Sequence, residues 1–282
     1  MQTLATIASL RAELRSHRQA GRTIAFVPTM GNLHAGHVQL IEKAAESADI
    51  VVASIFINPL QFGKNEDLNS YPRTLQEDQR KLIDAGCHYL FAPTESEVYP
   101  NGRDSQTRVE VPVLSDLYCG EARPGHFSGV TTVVCKLFNI VQPDIAIFGE
   151  KDYQQLRIVR KMVSDLCIAT TVLSVPIVRD ASGLALSSRN GYLSPAELEQ
   201  APALRQVITH TASEILSGRR DYTQLEQEAI LALEAKGFKR DYFRIVRQSD
   251  LAPATQQDKE LVILAAAWMG PARLIDNQEL DL

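Results

Sequence analysis

The sequence predicts an α/β protein with a doubly wound parallel sheet, followed by a smaller α+β C-terminal domain. Three observations predict this fold. Short, almost wholly apolar runs alternate with helical patterns as far as residue 178, and strands buried on both faces of a parallel sheet have this composition. After residue 178 the alternation ends, and two helical stretches precede three strands. The 282 residues, 45% of them apolar, are enough for two hydrophobic cores.

The elements of the first 178 residues follow from their residue spacing. Residues 23–28 (TIAFVP) are mostly apolar and suit a strand, and residues 37–48 repeat apolar residues on one helical face. With the apolar residues 49–57 they form a βαβ unit, the building block of a Rossmann-like sheet. In chain order, strands are predicted at residues 23–28, 49–57, 88–92, 144–148 and 171–178, and helices at residues 4–20, 37–48, 74–85, 130–141 and 153–166.

The C-terminal domain begins where this pattern changes. Residues 179–193 are polar and contain glycine, and the sequence SPAE at residues 194–197 is typical of a capped helix start. We therefore predict two domains, residues 1–178 and residues 179–282. Within the second, helices are predicted at residues 202–216 and 223–236, and strands at residues 242–246, 261–267 and 272–275.

Composition narrows the possible partners and compartment. With 29 Lys and Arg against 34 Asp and Glu, the net charge is −5, and an acidic chain without a basic tail is unsuited to nucleic acid or anionic membranes. The four cysteines stand far apart, so we expect neither zinc nor disulfides but reduced, mostly buried thiols. Because the sequence shows neither a signal-peptide pattern nor a membrane-spanning apolar run, a cytoplasmic protein acting on small molecules is predicted.

The turn after the first strand is the usual phosphate site of a doubly wound sheet. Residues 29–37 read TMGNLHAGH, so Gly31 and Gly36 have the spacing of P-loop glycines. They lack the following Lys and hydroxyl residue, which argues against a P-loop NTPase. His34 and His37 stand three residues apart at a helix N-terminus, where the helix dipole favours an anion. Imidazole donors there can bind phosphate oxygens more tightly as negative charge builds up, which stabilises a transition state.

Two simpler interpretations of this histidine pair are a metal site and an ordinary solvated turn. The pair lacks the four-residue spacing and the glutamate of a zinc protease helix. Its position directly after the first strand favours phosphate binding over a solvated turn.

Two further segments that follow predicted strands carry cations, Lys151 and Arg189. A solvated loop charge is the simpler interpretation for either residue alone. Lysine as a point charge and arginine as a planar fork can nevertheless close on a polyphosphate from two sides. Together with the histidines, they predict a nucleotidyl-transfer site.

Six segments of the chain, in order, resemble the pantothenate synthetases (pantoate-β-alanine ligases). They are PTMGNLHAGH at residues 28–37, FINPLQF at 56–62, YPRTL at 71–75, RPGHF at 123–127, GEKD at 149–152 and LSSRN at 186–190. The resemblance extends from about residue 23 to the ARLIDN run that ends at residue 277. The H-x-G-H element alone is shared with the wider superfamily of nucleotidyltransferases and class I aminoacyl-tRNA synthetases.

The resemblance implies a ligase with two half-reactions. Pantoate and ATP give pantoyl adenylate and pyrophosphate, and the amine of β-alanine then attacks the acyl carbon to give pantothenate and AMP. The resemblance also implies Mg²⁺ on the ATP phosphates, no metal ligands in the protein itself, and a homodimer. The first domain would bind nucleotide and pantoate, and the second would close over the ATP site.

Two alternatives stay open at this point. Another H-x-G-H nucleotidyltransferase, an adenylyl- or cytidylyltransferase, would retain the nucleotide in its product, but it would not need the segments at residues 56–62 and 71–75. An RNA-binding synthetase relative without catalysis is disfavoured by the acidic composition and by a tail that lacks a basic or aromatic RNA surface.

The resemblance assigns individual residues. Catalytic roles fall to His34, His37 as general acid, Lys151, Ser187, Ser188 and Arg189. ATP binding falls to Met30, Gly31, Asn32, Leu33, His34, Ala35, Gly36, His37, Gly149, Glu150, Lys151, Asp152, Val178 at the adenine, Leu186, Ser187, Ser188 and Arg189. Pantoate binding falls to Gln61 and Gln155, and Arg123 and His126 are expected at the floor of the pocket. The residues themselves add two substrate-binding candidates: Met30 suits an apolar wall, and Asn58, directly after the second predicted strand, is placed to anchor substrate or to orient a histidine. Amides suit pantoate because their NH₂ group donates to its carboxylate and their oxygen accepts from its hydroxyls.

Overall fold

The computed structural model describes residues 1–63 and 66–282. The chain divides into two compact units. The first comprises Met1–Glu150 and Gln154–Pro176, and the second comprises Lys151–Tyr153 and Ile177–Leu282. No helix within the described residues is long and apolar enough to span a membrane.

The first unit contains a parallel sheet with helices between its strands, so the predicted α/β class with a doubly wound sheet is confirmed. Its strands are β1 (Gln2–Leu4), β2 (Ile24–Thr29), β3 (Ile50–Ile55), β4 (Tyr89–Phe91), β5 (Ile145–Gly149) and β6 (Thr171–Val175). Its helices are α1 (Ile7–Gln19), α2 (Ala35–Ser47), α3 (Leu75–Asp84), α4 (Glu95–Val98), α5 (Cys119–Ala122), α6 (His126–Val141) and α7 (Tyr153–Asp165), whose first residue belongs to the second unit.

The strand order β1-β4-β3-β2-β5-β6 places a topological switch point beside β2. From β2 the chain moves outward to β3 and β4, then returns to β5 on the other side of β2. All the strand pairs are parallel, including the contact between β2 and β5 at Ala25 and Ile145. Open α/β sheets bind ligands in the crevice outside the carboxyl ends of such strands. The loops that follow Thr29 and Gly149 therefore occupy the favoured position for a site.

Arginines of α1 satisfy the carbonyl groups at the C-terminal end of α6. Arg11 donates to the carbonyl oxygen of Asn139 at 3.1 Å, and Arg18 donates to that of Gln142 at 3.1 Å. The last carbonyls of a helix have no partner within the helix and carry partial negative charge, so cations there are stabilising. The basic residues of α1 thus have a structural role in the first unit.

The structure departs from the predicted elements in ways that have physical causes. Strand β1 was not predicted, because three residues, two of them polar, carry no periodic signal. The predicted helix at residues 4–20 therefore begins later, at Ile7, where Thr6 accepts a capping hydrogen bond from the Ser9 amide. Strand β6 ends at Val175 instead of residue 178, since Pro176 has no N–H to donate to a ladder.

The cysteines also differ in part from expectation. None of the four, all in the described part of the chain, is joined in a disulfide. Cys87 and Cys119 are buried, Cys135 is half-buried and Cys167 is exposed. The prediction of mostly buried thiols is therefore wrong for Cys167, which follows α7 in a left-handed conformation at φ 51°.

The second unit is a small α+β structure, as predicted. Its helices are α8 (Pro195–Gln200), α9 (Ala203–Leu216) and α10 (Tyr222–Glu234), and its strands are β7 (Lys239–Arg247), β8 (Glu260–Met269) and β9 (Ala272–Asp281). The strands form an antiparallel sheet in the order β7-β8-β9. Apolar side chains from α9, α10 and the sheet, such as Ile208, Leu225 and Ile263, share one buried core.

The predicted cap of α8 is present, whereas the last strand is longer than predicted. The Glu197 amide donates to Ser194 Oγ, and the Ser194 amide donates to Glu197 Oε2 at 2.7 Å, which forms a capping box. Strand β9 continues to Asp281 and pairs with β8 over its whole length. The prediction stopped at residue 275 because the polar residues that follow do not have the composition of a buried strand.

Candidate functional site

A glycine-containing loop connects β2 to α2. The Gly31 amide donates to the hydroxyl of Thr29, the last residue of β2, at 3.2 Å. Gly31 has φ +84°, and a Cβ there would lie 3.1 Å from Ile55 Cγ2 and 3.2 Å from Asp78 Oδ2. Asn32 follows at φ 51°. The backbone angle therefore favours glycine at position 31, and the close contacts leave little room for a Cβ.

The two histidines form a capping box at the start of α2. His34 is the N-cap residue, and its Nδ1 accepts from the Gly36 amide at 3.1 Å. His37 Nδ1 in turn accepts from the His34 amide at 3.3 Å. The two ring centroids are 4.1 Å apart. The structure thus brings together the two imidazoles that the sequence singled out, and it uses them to satisfy backbone donors that the helix leaves unpaired.

This arrangement determines which ring nitrogens carry protons. Each Nδ1 accepts a backbone N–H, so it must present a lone pair. The proton of each neutral ring therefore resides on Nε2. Two Nε2–H donors at a helix N-terminus suit the oxygens of a phosphate group.

Asp78 on α3, which is not among the residues predicted from the sequence, fixes the loop before the histidines. Its carboxylate is fully buried. Oδ1 accepts from the Leu33 amide at 2.8 Å, and Oδ2 accepts from the Asn32 amide at 2.9 Å. The Thr74 hydroxyl also donates to Oδ2 at 3.1 Å. An aspartate on a polar helix is usually exposed, so the sequence carries no signal for this role.

We expect Asp78→Asn to reduce both stability and activity. All three groups around the carboxylate are hydrogen-bond donors, so an amide NH₂ would face an N–H or O–H group. One lost buried hydrogen bond should lower the free energy of unfolding by about 1–3 kcal/mol, measured by urea denaturation. Displacement of the loop should also lower kcat. Asp84→Asn, an exposed change on the same helix, is the matched control. A variant at position 78 with unchanged kcat would contradict the role of Asp78.

Asn58 and Gln61, which follow β3, form a hydrogen-bonded pair. Asn58 is 1% exposed, and its Nδ2 donates to Gln61 Oε1 at 3.1 Å and to the Gly129 carbonyl at 3.1 Å. Its Oδ1 accepts from the buried Tyr99 hydroxyl at 2.7 Å. Gln61 Nε2 lies 3.1 Å from Met30 Sδ. Asn58 is thus saturated by protein groups and orients Gln61, so we assign it a positioning role.

Helix α6 packs directly against the turn that carries Gln61. A Cβ on Gly129 would lie 2.4 Å from the Leu60 carbonyl oxygen, so only glycine permits this approach. Gly129 is not among the residues predicted from the sequence. A glycine within a predicted helix gives no indication of which distant backbone it touches.

Arg123 and His126 hold the backbone of Gln61. His126 Nδ1 lies 2.8 Å from the Gln61 carbonyl oxygen, and Arg123 Nη1 donates to His126 Nε2 at 3.0 Å. Because arginine is always a donor, His126 carries its proton on Nδ1 and donates it to that carbonyl. Arg123 also donates two hydrogen bonds to the Glu66 carboxylate, from Nε to Oε1 at 2.7 Å and from Nη2 to Oε2 at 2.6 Å. Burial opposes ionisation of Glu66, but the hydrogen bonds and charge of Arg123 outweigh it and lower the pKa of Glu66.

Some side chains that follow β5 are hydrogen-bonded within the protein, whereas others are candidate ligand contacts. Gly149 ends β5, and the Glu150 carboxylate accepts from the Ser174 hydroxyl of β6 at 2.8 Å. Gln154 is 4% exposed and donates to the carbonyl oxygens of Leu114 and Leu117 at 2.8 and 2.7 Å. Its neighbour Gln155 is half-buried. Of the two amides, Gln154 is therefore committed to backbone groups.

The second unit contains the remaining predicted residues. The Leu186 amide donates to the Val178 carbonyl at 2.9 Å, and Ser187 Oγ accepts from the Arg189 amide at 3.2 Å at the start of a 3₁₀ turn. Lys151 lies in another 3₁₀ turn with Asp152, whose carboxylate is 3.8 Å from Lys151 Nζ. Lys151 and Ser187 line the same small cavity. The polar, glycine-containing segment at residues 179–193 contains a bridge between Arg179 and Ala185 and the 3₁₀ turn Ser188–Tyr192.

The chain is similar along its whole length to proteins of one family. A family model described as pantoate-beta-alanine ligase matches residues 2–279. A pantothenate synthetase from Pseudomonas fluorescens is 57% identical over 282 residues, which cover 100% of this chain and 99% of that protein. One from Marinobacter nauticus is 56% identical over 277 residues, covering 98% of each.

Solved structures agree with the sequence comparison. A pantothenate synthetase from Thermus thermophilus superposes with a TM-score of 0.93 at 45% identity, covering 100% of both chains. A pantoate-beta-alanine ligase from Francisella tularensis, complexed with beta-gamma ATP and beta-alanine, superposes with a TM-score of 0.83 at 34% identity, covering 99% of this chain and 97% of the other. With the family match over residues 2–279, these similarities show that the chain belongs to the pantoate-β-alanine ligase family.

Proposed function

We infer that the chain catalyses the ATP-dependent condensation of pantoate with β-alanine, giving pantothenate, AMP and pyrophosphate through a pantoyl adenylate. This function rests mainly on one observation, the match to pantoate-β-alanine ligases over residues 2–279. The solved relative from Francisella tularensis, complexed with beta-gamma ATP and beta-alanine, supports the choice of substrates.

The histidine pair is proposed to act in the first half-reaction. A carboxylate oxygen of pantoate attacks the α-phosphorus of ATP, and the bond between that phosphorus and the pyrophosphate oxygen breaks with its electrons leaving on pyrophosphate. Negative charge grows on the phosphate oxygens during this step. The Nε2–H groups of His34 and His37 can bind those oxygens more tightly as the charge grows, because their Nδ1 atoms are held by the backbone. His37 is the proposed general acid in the sense that its Nε2–H donates a hydrogen bond to the leaving pyrophosphate oxygen, because a neutral ring whose Nδ1 accepts a backbone N–H has no second proton to transfer.

The second unit is proposed to bind the phosphates and the adenine. Lys151 contributes a point charge, Arg189 a planar fork, and Ser187 and Ser188 hydroxyl donors, whereas Val178 and Leu186 lie beside the base. We propose Mg²⁺ as the counter-ion that arrives on the ATP phosphates, which require a hard cation that keeps part of its water shell. Within the described residues, no three His, Cys, Asp or Glu side chains meet as a metal-binding group.

Gln61 is proposed to bind pantoate and to face β-alanine in the second half-reaction. The amide orientation of Gln61 is determined by Asn58, and its backbone carbonyl is held by His126. The side chain is therefore ordered before substrate binds, so binding costs little further side-chain entropy. Gln155 is proposed as the second pantoate amide. The amine of β-alanine then attacks the acyl carbon, the bond to the AMP oxygen breaks, and the amine loses a proton.

A product analysis tests this function. With ATP, Mg²⁺ and pantoate alone, we expect pyrophosphate and pantoyl adenylate, and with β-alanine added we expect pantothenate and AMP, identified by mass spectrometry. A final product that retains the nucleotide would instead indicate an adenylyl- or cytidylyltransferase. Absence of pyrophosphate release under all conditions would contradict both.

The family resemblance leads us to propose also a homodimer in the cytoplasm, and light scattering of the purified protein would test the dimer.

A further inference from the structure

Strand β9 carries two buried polar residues to which the sequence analysis gave no role. Asp276 and Asn277 are 4% and 6% exposed and lie in the middle of β9 (Ala272–Asp281). Buried polar side chains are costly unless they are hydrogen-bonded, so their partners indicate what they do.

Asp276 holds the turn that leads to Ser187. Arg179 donates to both carboxylate oxygens of Asp276, at 2.6 and 2.8 Å, and also to the Gly183 carbonyl at 3.1 Å. Arg179 and Ala185 are paired by a backbone bridge, so one ion pair anchors the whole turn between them. A bidentate arginine–carboxylate pair fixes orientation as well as distance. The residues that follow this turn, 187–189, begin from an anchored backbone.

Asn277, the next residue, holds the other cationic segment. Its Nδ2 donates to the Lys151 carbonyl at 3.1 Å. Two residues further along β9, Glu279 accepts from the Tyr153 hydroxyl at 2.6 Å. One strand therefore holds the backbone at Lys151 and the side chain at Tyr153, which explains why Lys151–Tyr153 belong to the second unit.

The two anchored segments also meet. Lys151, Ser187 and Asp276 line one cavity of about 10 Å³, a space that one water molecule would fill. We propose that Asp276 and Asn277 are positioning residues, which hold Lys151 and residues 187–189 in the mutual arrangement that the adenylation step requires. This inference rests on the proposed function, in which both segments bind the ATP phosphates. Catalytic groups must be held to a fraction of an ångström, and neither a lysine side chain nor a polar turn is rigid by itself.

The test compares Asp276→Asn and Asn277→Asp with a control in the same sheet. Asp241→Asn breaks the ion pair between Arg273 and Asp241, which is comparably buried with 2.6 Å between Nε and Oδ2 and joins β9 to β7. We expect both test variants to slow pyrophosphate release from ATP and pantoate by about 10- to 100-fold. Single-turnover consumption of preformed pantoyl adenylate with β-alanine should stay at the wild-type rate, because the phosphate-binding groups are not needed there. The control variant should leave both steps unchanged.

Hydrogen exchange supplies a readout that needs no catalysis. Asp276→Asn should raise amide exchange in residues 180–190, and Asn277→Asp should raise it at residues 151–153, whereas Asp241→Asn should raise neither. The inference is overturned if exchange in both segments matches that of the wild type, if the two half-reactions fall together, or if the control slows adenylation equally. A wild-type protein that forms no adenylate would contradict the proposed function instead, and exchange would still decide whether β9 holds the two segments.

Discussion

His34→Asn and His37→Gln are expected to lower the rate of pyrophosphate release by about 10²-fold or more while leaving the fold intact, as for loss of a preorganised transition-state donor. Asparagine is a good N-cap and glutamine is the usual third-position partner in a capping box. Each substitution therefore preserves the backbone hydrogen bond made by Nδ1 and removes the imidazole Nε2–H. Stopped-flow pyrophosphate release gives the rate, and urea denaturation gives the free energy of unfolding.

The alanine variants separate capping from chemistry. His34→Ala loses both the cap and the Nε2–H donor, so it should also lower the free energy of unfolding by about 0.5–2 kcal/mol. If the asparagine and glutamine variants release pyrophosphate at rates close to wild type, the imidazoles serve α2 only as caps and the proposed transition-state role is wrong.

Lys151→Ala is expected to reduce adenylate formation by about 10²- to 10³-fold, because it removes a charge from the phosphates of ATP in the transition state. The Lys151 side chain is 19% exposed and lies 3.8 Å from Asp152, so its ammonium group is partly ordered before substrate binds. Arg189→Lys should not restore a bidentate contact and should also be slow. Lys161→Ala, which removes an exposed lysine of α7 paired with Asp165, is the matched control.

The second half-reaction shows whether Lys151 acts on the phosphates. Preformed pantoyl adenylate already contains an activated acyl group, so Lys151→Ala should pass it to β-alanine at close to the wild-type rate. Equal losses in the two half-reactions would mean that Lys151 contributes to the fold or to pantoate binding, and the phosphate role would be wrong.

The sequence predicted those helices and strands whose apolar residues recur at a regular spacing. The alternation of apolar strands and helices predicted the parallel sheet, and the SPAE sequence predicted the start of α8. Strand β1 and the second half of β9 were missed because their residues are few or polar. Both are strands because a neighbouring strand supplies the backbone partners, β4 for the first and β8 for the second.

The spacing of residues 29–37 determined that two imidazoles share the first turn of a helix, since residues three apart on a helix lie on one face. What holds that turn, and what holds the segments at Asn58 and at Arg179, was decided only by tertiary structure. Asp78 contacts Leu33 across 45 positions of sequence, Tyr99 contacts Asn58 across 41, and Asp276 contacts Arg179 across 97. The sequence does not distinguish a buried carboxylate or hydroxyl from an exposed one. Its hydrogen-bond partner depends on how the sheets and helices pack. The sequence by itself therefore determined which residues we propose to meet the substrate, whereas the packing decided which distant side chains keep those residues in place.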